Sequence, residues 1–139
     1  MPDAGGAPRE AAASGKPRAR VLYIEDNVVN ATIMEHLLGQ LDAVDYQLAE
    51  TAEAGLERIR TELPALVLMD IHLPGMSGLD AVRLLRADPR TATLPVYAVS
   101  AAAMAEDVQA GLRAGFDGYL TKPFNVDQLL QVVRRVLKL

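Results

Sequence analysis

From Arg18 onward the chain alternates between two hydrophobic periods. Short apolar runs, too brief for helices, are each followed by a segment whose apolar residues recur every three or four positions. The runs are Val21-Leu22-Tyr23-Ile24, the weaker Tyr46-Gln47-Leu48-Ala49, Ala65-Leu66-Val67-Leu68-Met69, Pro95-Val96-Tyr97-Ala98-Val99 and the brief Gly118-Tyr119-Leu120-Thr121. The first helical segment, Asn27 to Leu41, aligns Ile33, Met34, Leu37, Leu38 and Leu41 on one face. The second starts at a Thr51 cap and runs through about Thr61, with Ala54 among its inward residues. The third, Leu79 to Ala87, turns Val82 and Leu85 inward and is closed by Pro89. An alanine-rich helix then runs to about Ala114 and stops at Gly115, and a last one spans about Val126 to Leu137. Five strand–helix units with short connections predict one α/β domain, a doubly wound five-stranded parallel sheet with helices on both faces.

Ligands of such sheets bind beyond the carboxyl ends of the strands, at the point where the strand order reverses. The chemically active residues fall there. The first run leads into Glu25-Asp26, the third ends in Asp70, the fourth ends in Ser100, and the fifth delivers Lys122 followed by Pro123. Each has an ordinary reading alone: adjacent acids cap a helix, Asp70 opens a Leu-Pro-Gly turn, Ser100 bonds local backbone, and Lys122 is a solvated charge. Together they differ, because three carboxylates converging on one edge repel strongly. A hard divalent cation relieves that repulsion, and magnesium favours a few carboxylates plus waters and phosphate oxygens, with manganese an acceptable substitute. Asp26 reads as the more direct ligand, Glu25 as a ligand directly or through water, and Asp70 as the donor of one oxygen. The other oxygen of Asp70 is then a nucleophile toward phosphorus, giving an acyl phosphate. Ser100 and Lys122 supply a hydroxyl and a cation for the charge spread over the equatorial oxygens.

Bulk properties exclude other classes. A chain of 139 residues supports one core, and a net charge of -4 with mixed signs is no nucleic-acid footprint. The absence of cysteine rules out disulfides and thiol chemistry and agrees with a cytoplasmic location. No apolar stretch approaches the roughly 20 residues of a membrane span. Residues 1–17, rich in Ala, Gly and Pro, read as a disordered leader or linker and not as a secretory signal.

The motifs Glu25-Asp26-Asn27, Met69-Asp70 with Leu73-Pro74-Gly75-Met76-Ser77-Gly78, Ala98-Val99-Ser100-Ala101, and Ala114 through Phe124 occur in a highly specific order and spacing. Over residues 18–139 the chain resembles a receiver domain of the bacterial response-regulator family, which implies a flavodoxin-like (βα)5 fold. The resemblance implies Asp70 as phosphoacceptor, Glu25 and Asp26 as magnesium ligands, and Ser100 and Lys122 as contacts of the phosphoryl group. It further implies a magnesium contact from the His72 backbone carbonyl, a cis Lys122-Pro123 bond and a switch role for Tyr119, whose ring enters the space that Ser100 vacates. The partners it implies are a histidine kinase or histidine phosphotransfer protein and a downstream protein target; a homodimer is a further possibility, raised by the last helix.

Glu25 replaces the aspartate more usual in the acid pair. His72 and Ala102, two residues past Asp70 and Ser100, border the path of a hydrolytic water and are expected to tune phosphate lifetime. His36 reads as an ordinary helix-face residue. Val28, Val29 and Met34 suggest a docking face for an incoming helical bundle, although Met34 equally suits the core. In the last helix Val126, Leu129, Leu130, Val133 and Leu137 form the inward stripe, and Val132, Val136 and Leu139 an adjoining ridge for a partner or dimer. In the family the fourth helix, fifth strand and fifth helix form the output surface.

The expected function is a phosphorylation-dependent switch, not a turnover enzyme, assisting its own phosphotransfer and autodephosphorylation. No output domain follows Leu139, so the expected form is a free-standing regulator or a receiver of a hybrid kinase. A phosphate-independent docking module of the same fold is the alternative, against which the complete set of Glu25, Asp26, Asp70, Ser100 and Lys122 argues. A hydrolase of the haloacid-dehalogenase type wants a second aspartate where His72 stands. A flavin phosphate would be repelled by the acidic first loop.

Overall fold

The computed structural model describes residues 18–139, so the expected leader, residues 1–17, lies outside the described residues. The chain alternates β1 (Ala19–Ile24), α1 (Val28–Leu38), β2 (Val44–Ala49), α2 (Ala52–Thr61), β3 (Leu66–Asp70), α3 (Gly78–Ala87), β4 (Val96–Ser100), α4 (Ala105–Ala114), β5 (Gly118–Thr121) and α5 (Val126–Leu137). The strands form one parallel sheet in the order β2-β1-β3-β4-β5. The order reverses between β1 and β3, so the loops after these two strands diverge and leave a crevice.

Strand alternation divides the core into two layers. Leu22, Ile24, Val67, Met69, Val96 and Ala98 pack against α2, α3 and α4. Val21, Tyr23, Leu66, Leu68, Val99 and Leu120 pack against α1 and α5. Polar caps set where four helices begin: Asn27, Thr51, Ser77 and Asn125 accept the N–H of Asn30, Ala54, Asp80 and Gln128 at 2.9, 3.0, 3.2 and 3.0 Å.

Several helix faces differ from the sequence expectation. Ile33 is exposed, because Ala31, Met34, Leu37 and Leu38 define the buried stripe of α1 and Ile33 sits about 100° off it; Leu41 lies past the helix end. In α2 the inward residues are Ala52, Gly55, Leu56 and Ile59, and Ala54 faces water. In α5 the stripe centres on Leu129, Val132 and Val133, which turns Val126 outward. Val132 is therefore core, and the expected free ridge of Val132, Val136 and Leu139 is not a continuous exposed face. Met34 is fully buried, whereas Val28 and Val29 are exposed.

Two glycines permit close approaches, Gly78 beside the crevice and Gly115 at the opposite end of the sheet. A Cβ on Gly78 would lie 2.5 Å from the carbonyl oxygen of Asp70, so only glycine lets α3 start against the end of β3. Gly115 ends α4 at φ 127°, packed on the aliphatic stem of Arg86. The Arg86 guanidinium donates to the carbonyls of Gly115, Ala92 and Leu94 at 2.8, 3.1 and 2.7 Å, and pairs with Asp117 at 2.9 Å. The same Asp117 oxygen accepts the Val96 N–H at 2.9 Å. This clamp ties α3 to the entries of β4 and β5. Arg86→Ala strips several carbonyls of their donor and is expected to cost about 2–3 kcal/mol in chemical denaturation.

Candidate functional site

Continuing the alternation past the strand ends puts Glu25 in line with Val21 and Tyr23, Asp70 with Leu66 and Leu68, and Lys122 with Leu120. All three belong to the α1–α5 side. Ser100 and Tyr119 fall in the other register, with Ala98 and Val96, toward α3 and α4. The site is thus assembled from both sides of the sheet at its carboxyl edge.

Glu25 is 1% exposed, a burial a carboxylate tolerates only with several donors. Its Oε1 accepts the Tyr23 hydroxyl at 2.6 Å and the Lys122 ammonium at 2.7 Å, and its Oε2 accepts the Asn27 N–H at 3.2 Å. Burial alone would raise its pKa, but the bonds from Lys122, Tyr23 and Asn27 outweigh burial and hold it below the ordinary carboxylate range. The Tyr23 hydroxyl is pushed well above its usual pKa by burial and by the Glu25 charge. It remains a donor.

Asp70 is held at both oxygens. Oδ1 accepts the His72 N–H at 3.1 Å, and Oδ2 faces the Lys122 ammonium at 3.3 Å. Burial and the neighbouring Glu25 charge raise its pKa, and Lys122 and the His72 N–H only partly offset them. Asp26 is exposed and its carboxylate has no hydrogen-bond or ion-pair partner among the described residues. Glu25, Asp26 and Asp70 each offer an oxygen, and these oxygens lie within 4.8 Å of one another. An all-oxygen, all-carboxylate donor set this tight, with one member open to water, fits magnesium.

Ser100 is fully buried, and its Oγ accepts the Ala102 N–H at 3.1 Å, leaving its own proton to donate. The Tyr119 hydroxyl donates to the Ala102 carbonyl at 2.5 Å, so the Ala102 residue connects Ser100 with Tyr119. Ala102, Tyr119 and the exposed His72 border a small cavity of about 80 Å³. A groove of about 250 Å³ lined by Arg20, Arg58 and Glu62 touches none of these residues. The Lys122-Pro123 bond is cis, as expected.

The structure therefore gathers Glu25, Asp26, Asp70 and Lys122 at one edge and links Ser100 to Tyr119 beside it. Sequence reasoning overlooked Tyr23, although a tyrosine two residues before an acid on the same strand face was a readable signal.

Residues 21–134 match the family model of the response regulator receiver domain. The chain belongs to that family. This receiver domain is 36% identical over 121 residues to PilH of Pseudomonas aeruginosa, covering 86% of the chain and 98% of PilH. It is 38% identical over 117 residues to the sensor protein GacS of Pseudomonas syringae, covering 82% of the chain but only 13% of GacS. The chain thus spans a small part of the kinases it matches. Among solved structures, the receiver domain of a sensor histidine kinase from Pseudomonas aeruginosa superimposes with a TM-score of 0.80 at 30% identity, covering 88% of this chain and 99% of that one. That domain was crystallised with magnesium coordinated in its active-site cleft. This chain is accordingly a receiver domain of two-component signalling. Among the described residues no helix is long and apolar enough to cross a membrane.

Replacing Lys122 with Met leaves Glu25 and Asp70 buried without their cation, an expected loss of about 3–5 kcal/mol in the presence of chelator. Both folded-state pKa values then lie above the unfolded ones, so the folded state binds more protons and its stability falls as pH rises through the carboxylate range. Chemical denaturation should find the deficit full at neutral pH and shrinking on acidification; a deficit independent of pH would contradict this balance of charge.

Proposed function

We propose that this receiver domain is a phosphorylation-dependent switch in which Asp70 accepts a phosphoryl group from a histidine kinase or a histidine phosphotransfer protein. The observation that carries this reading is the Asp70 carboxylate, ending a fully buried strand, aligned by the His72 N–H and Lys122 and with an oxygen within 4.8 Å of oxygens of Glu25 and Asp26. An Asp70 oxygen forms the new bond to phosphorus while the phosphorus–nitrogen bond of the donor imidazole breaks, its electron pair returning to nitrogen. Glu25, Asp26, Asp70 and the His72 carbonyl would hold magnesium, which when bound neutralises the acids and the incoming phosphoryl oxygens. Lys122, which already balances two carboxylates, pairs with a phosphoryl oxygen as Asp70 is phosphorylated. Ser100 donates its free proton to another.

The contacts of Ala102 support a route for the signal. When Ser100 turns toward the phosphoryl group, the Ala102 N–H loses its acceptor, the loop after β4 shifts, and the Tyr119 hydroxyl loses its carbonyl anchor. The surface of α4, β5 and α5 then changes toward a protein target. His72 and Ala102, lining one cavity, set how readily water reaches the phosphoryl group; an unaltered dephosphorylation rate in His72 variants would remove that role. The exposed Val28 and Val29 beside Asp26 offer apolar contact to the phosphodonor. A cytoplasmic location follows from such a donor. Manganese should substitute for magnesium, and the domain turns over no substrate beyond loss of its own phosphate.

Intact mass after incubation with acetyl phosphate and magnesium should rise by one phosphoryl group, and by none with chelator or in Asp70→Asn. Failure to gain mass from acetyl phosphate and from a phosphorylated histidine phosphotransfer domain, with magnesium bound, would favour the phosphate-independent docking module. Tyr119→Ala should take up the same phosphate yet bind a target equally with and without it; preserved discrimination would exclude the Tyr119 route.

A further inference from the structure

Tyr23 is fully buried and its hydroxyl bonds the Glu25 half of the site's central ion pair. Its hydroxyl donates at 2.6 Å to the same Glu25 Oε1 that receives Lys122 at 2.7 Å. Its ring meets Phe124, two residues past Lys122, edge-to-face at 6.3 Å and 70°. A closed circuit results: Tyr23 to Glu25 through the hydroxyl, Glu25 to Lys122 through the ion pair, Lys122 to Phe124 through the chain, and Phe124 back to the Tyr23 ring.

We propose that Tyr23 is a positioning residue for phosphoryl transfer, its hydroxyl sharing Glu25 with Lys122 so that the ammonium is left partly free for the phosphoryl group. The proposal rests on the phosphoacceptor reading of Asp70 and adds a residue that touches neither metal nor phosphate. The physical argument is a competition for one oxygen. With two donors on Oε1, neither carries the whole burden of satisfying a buried carboxylate. With the hydroxyl gone, Lys122 is the sole side-chain donor on Glu25 and is drawn toward it, away from Asp70. The length of Glu25 belongs to the same device. An aspartate at that position would carry its carboxylate one methylene further from the hydroxyl. Tyr23 and Glu25 are therefore a matched pair.

Tyr23→Phe removes the hydroxyl and keeps the ring against Phe124. The readout is the rate of phosphorylation by acetyl phosphate as a function of magnesium concentration, in wild type, Tyr23→Phe, Glu25→Asp and the double variant. Thermal melting confirms that each is folded. In Tyr23→Phe the rate at saturating magnesium is expected to fall about tenfold, the size of one hydrogen bond to a charged group. The half-saturating magnesium concentration should move little, because Asp26 and Asp70 remain. In the Glu25→Asp background, loss of the hydroxyl should have almost no further effect, which a purely structural tyrosine would not produce. A wild-type rate in folded Tyr23→Phe, or the same fall in both backgrounds, would overturn the positioning role alone. A wild-type protein that takes no phosphate overturns the reading of Asp70 and this proposal with it.

Discussion

Three carboxylates sharing one edge of a sheet is the constraint on which the rest of this molecule depends. Glu25 and Asp70 are buried, their oxygens and that of Asp26 lie within 4.8 Å, and Lys122 is the cation that holds the two buried acids together. The sheet order makes the supply of that cation a geometric problem, since β3 and β4 stand between β5 and β1. Three strand spacings amount to about 14 Å. The chain after β5 must therefore turn back over the strand ends, and a long side chain must cover the rest. Phe124 docking on Tyr23 fastens the returning chain, and the Arg86–Asp117 clamp holds the entry of β5 in place. The packing of Phe124 on Tyr23 thus helps to bring one ammonium to two acids.

The same charge arrangement explains why a structural compensation can double as a chemical one. An ammonium shared between two carboxylates is easily redirected when one of them becomes an acyl phosphate and acquires phosphoryl oxygens. In the proposed transfer, one set of anionic partners would replace another without leaving Lys122 uncompensated. Ser100 works on the opposite register of the sheet, and through Ala102 it is coupled to Tyr119 and not to the acids. The acids with Lys122 and the Ser100–Ala102–Tyr119 chain thus lie on separate faces that meet at the strand ends.

The strand–helix alternation was legible because strands buried on both faces have few alternatives to short apolar runs, and Thr51 and Gly115 marked ends with local chemistry. The acids, Ser100 and Lys122 were legible because each terminates such a run. Rotation of the helices was harder to read. Ile33, Ala54 and Val126 are apolar yet face water, and Val132 is buried where a free ridge was expected, because a stripe one residue wider than the contact admits two phases. Tyr23 escaped notice for a different reason. As a core aromatic it needs no further explanation until its hydroxyl is seen to end on Glu25, a contact set by strand register and by the return of Lys122 across the sheet.

The central claim is that this cluster makes Asp70 a magnesium-dependent phosphoacceptor. The most direct measurement is borohydride reduction of the protein after exposure to phosphodonor, which converts an acyl phosphate to an alcohol, followed by peptide mass mapping. The account predicts homoserine at position 70 alone, only when magnesium is present. Reduction at Glu25 or Asp26, or label at Asp70 that survives chelation unchanged, would contradict it.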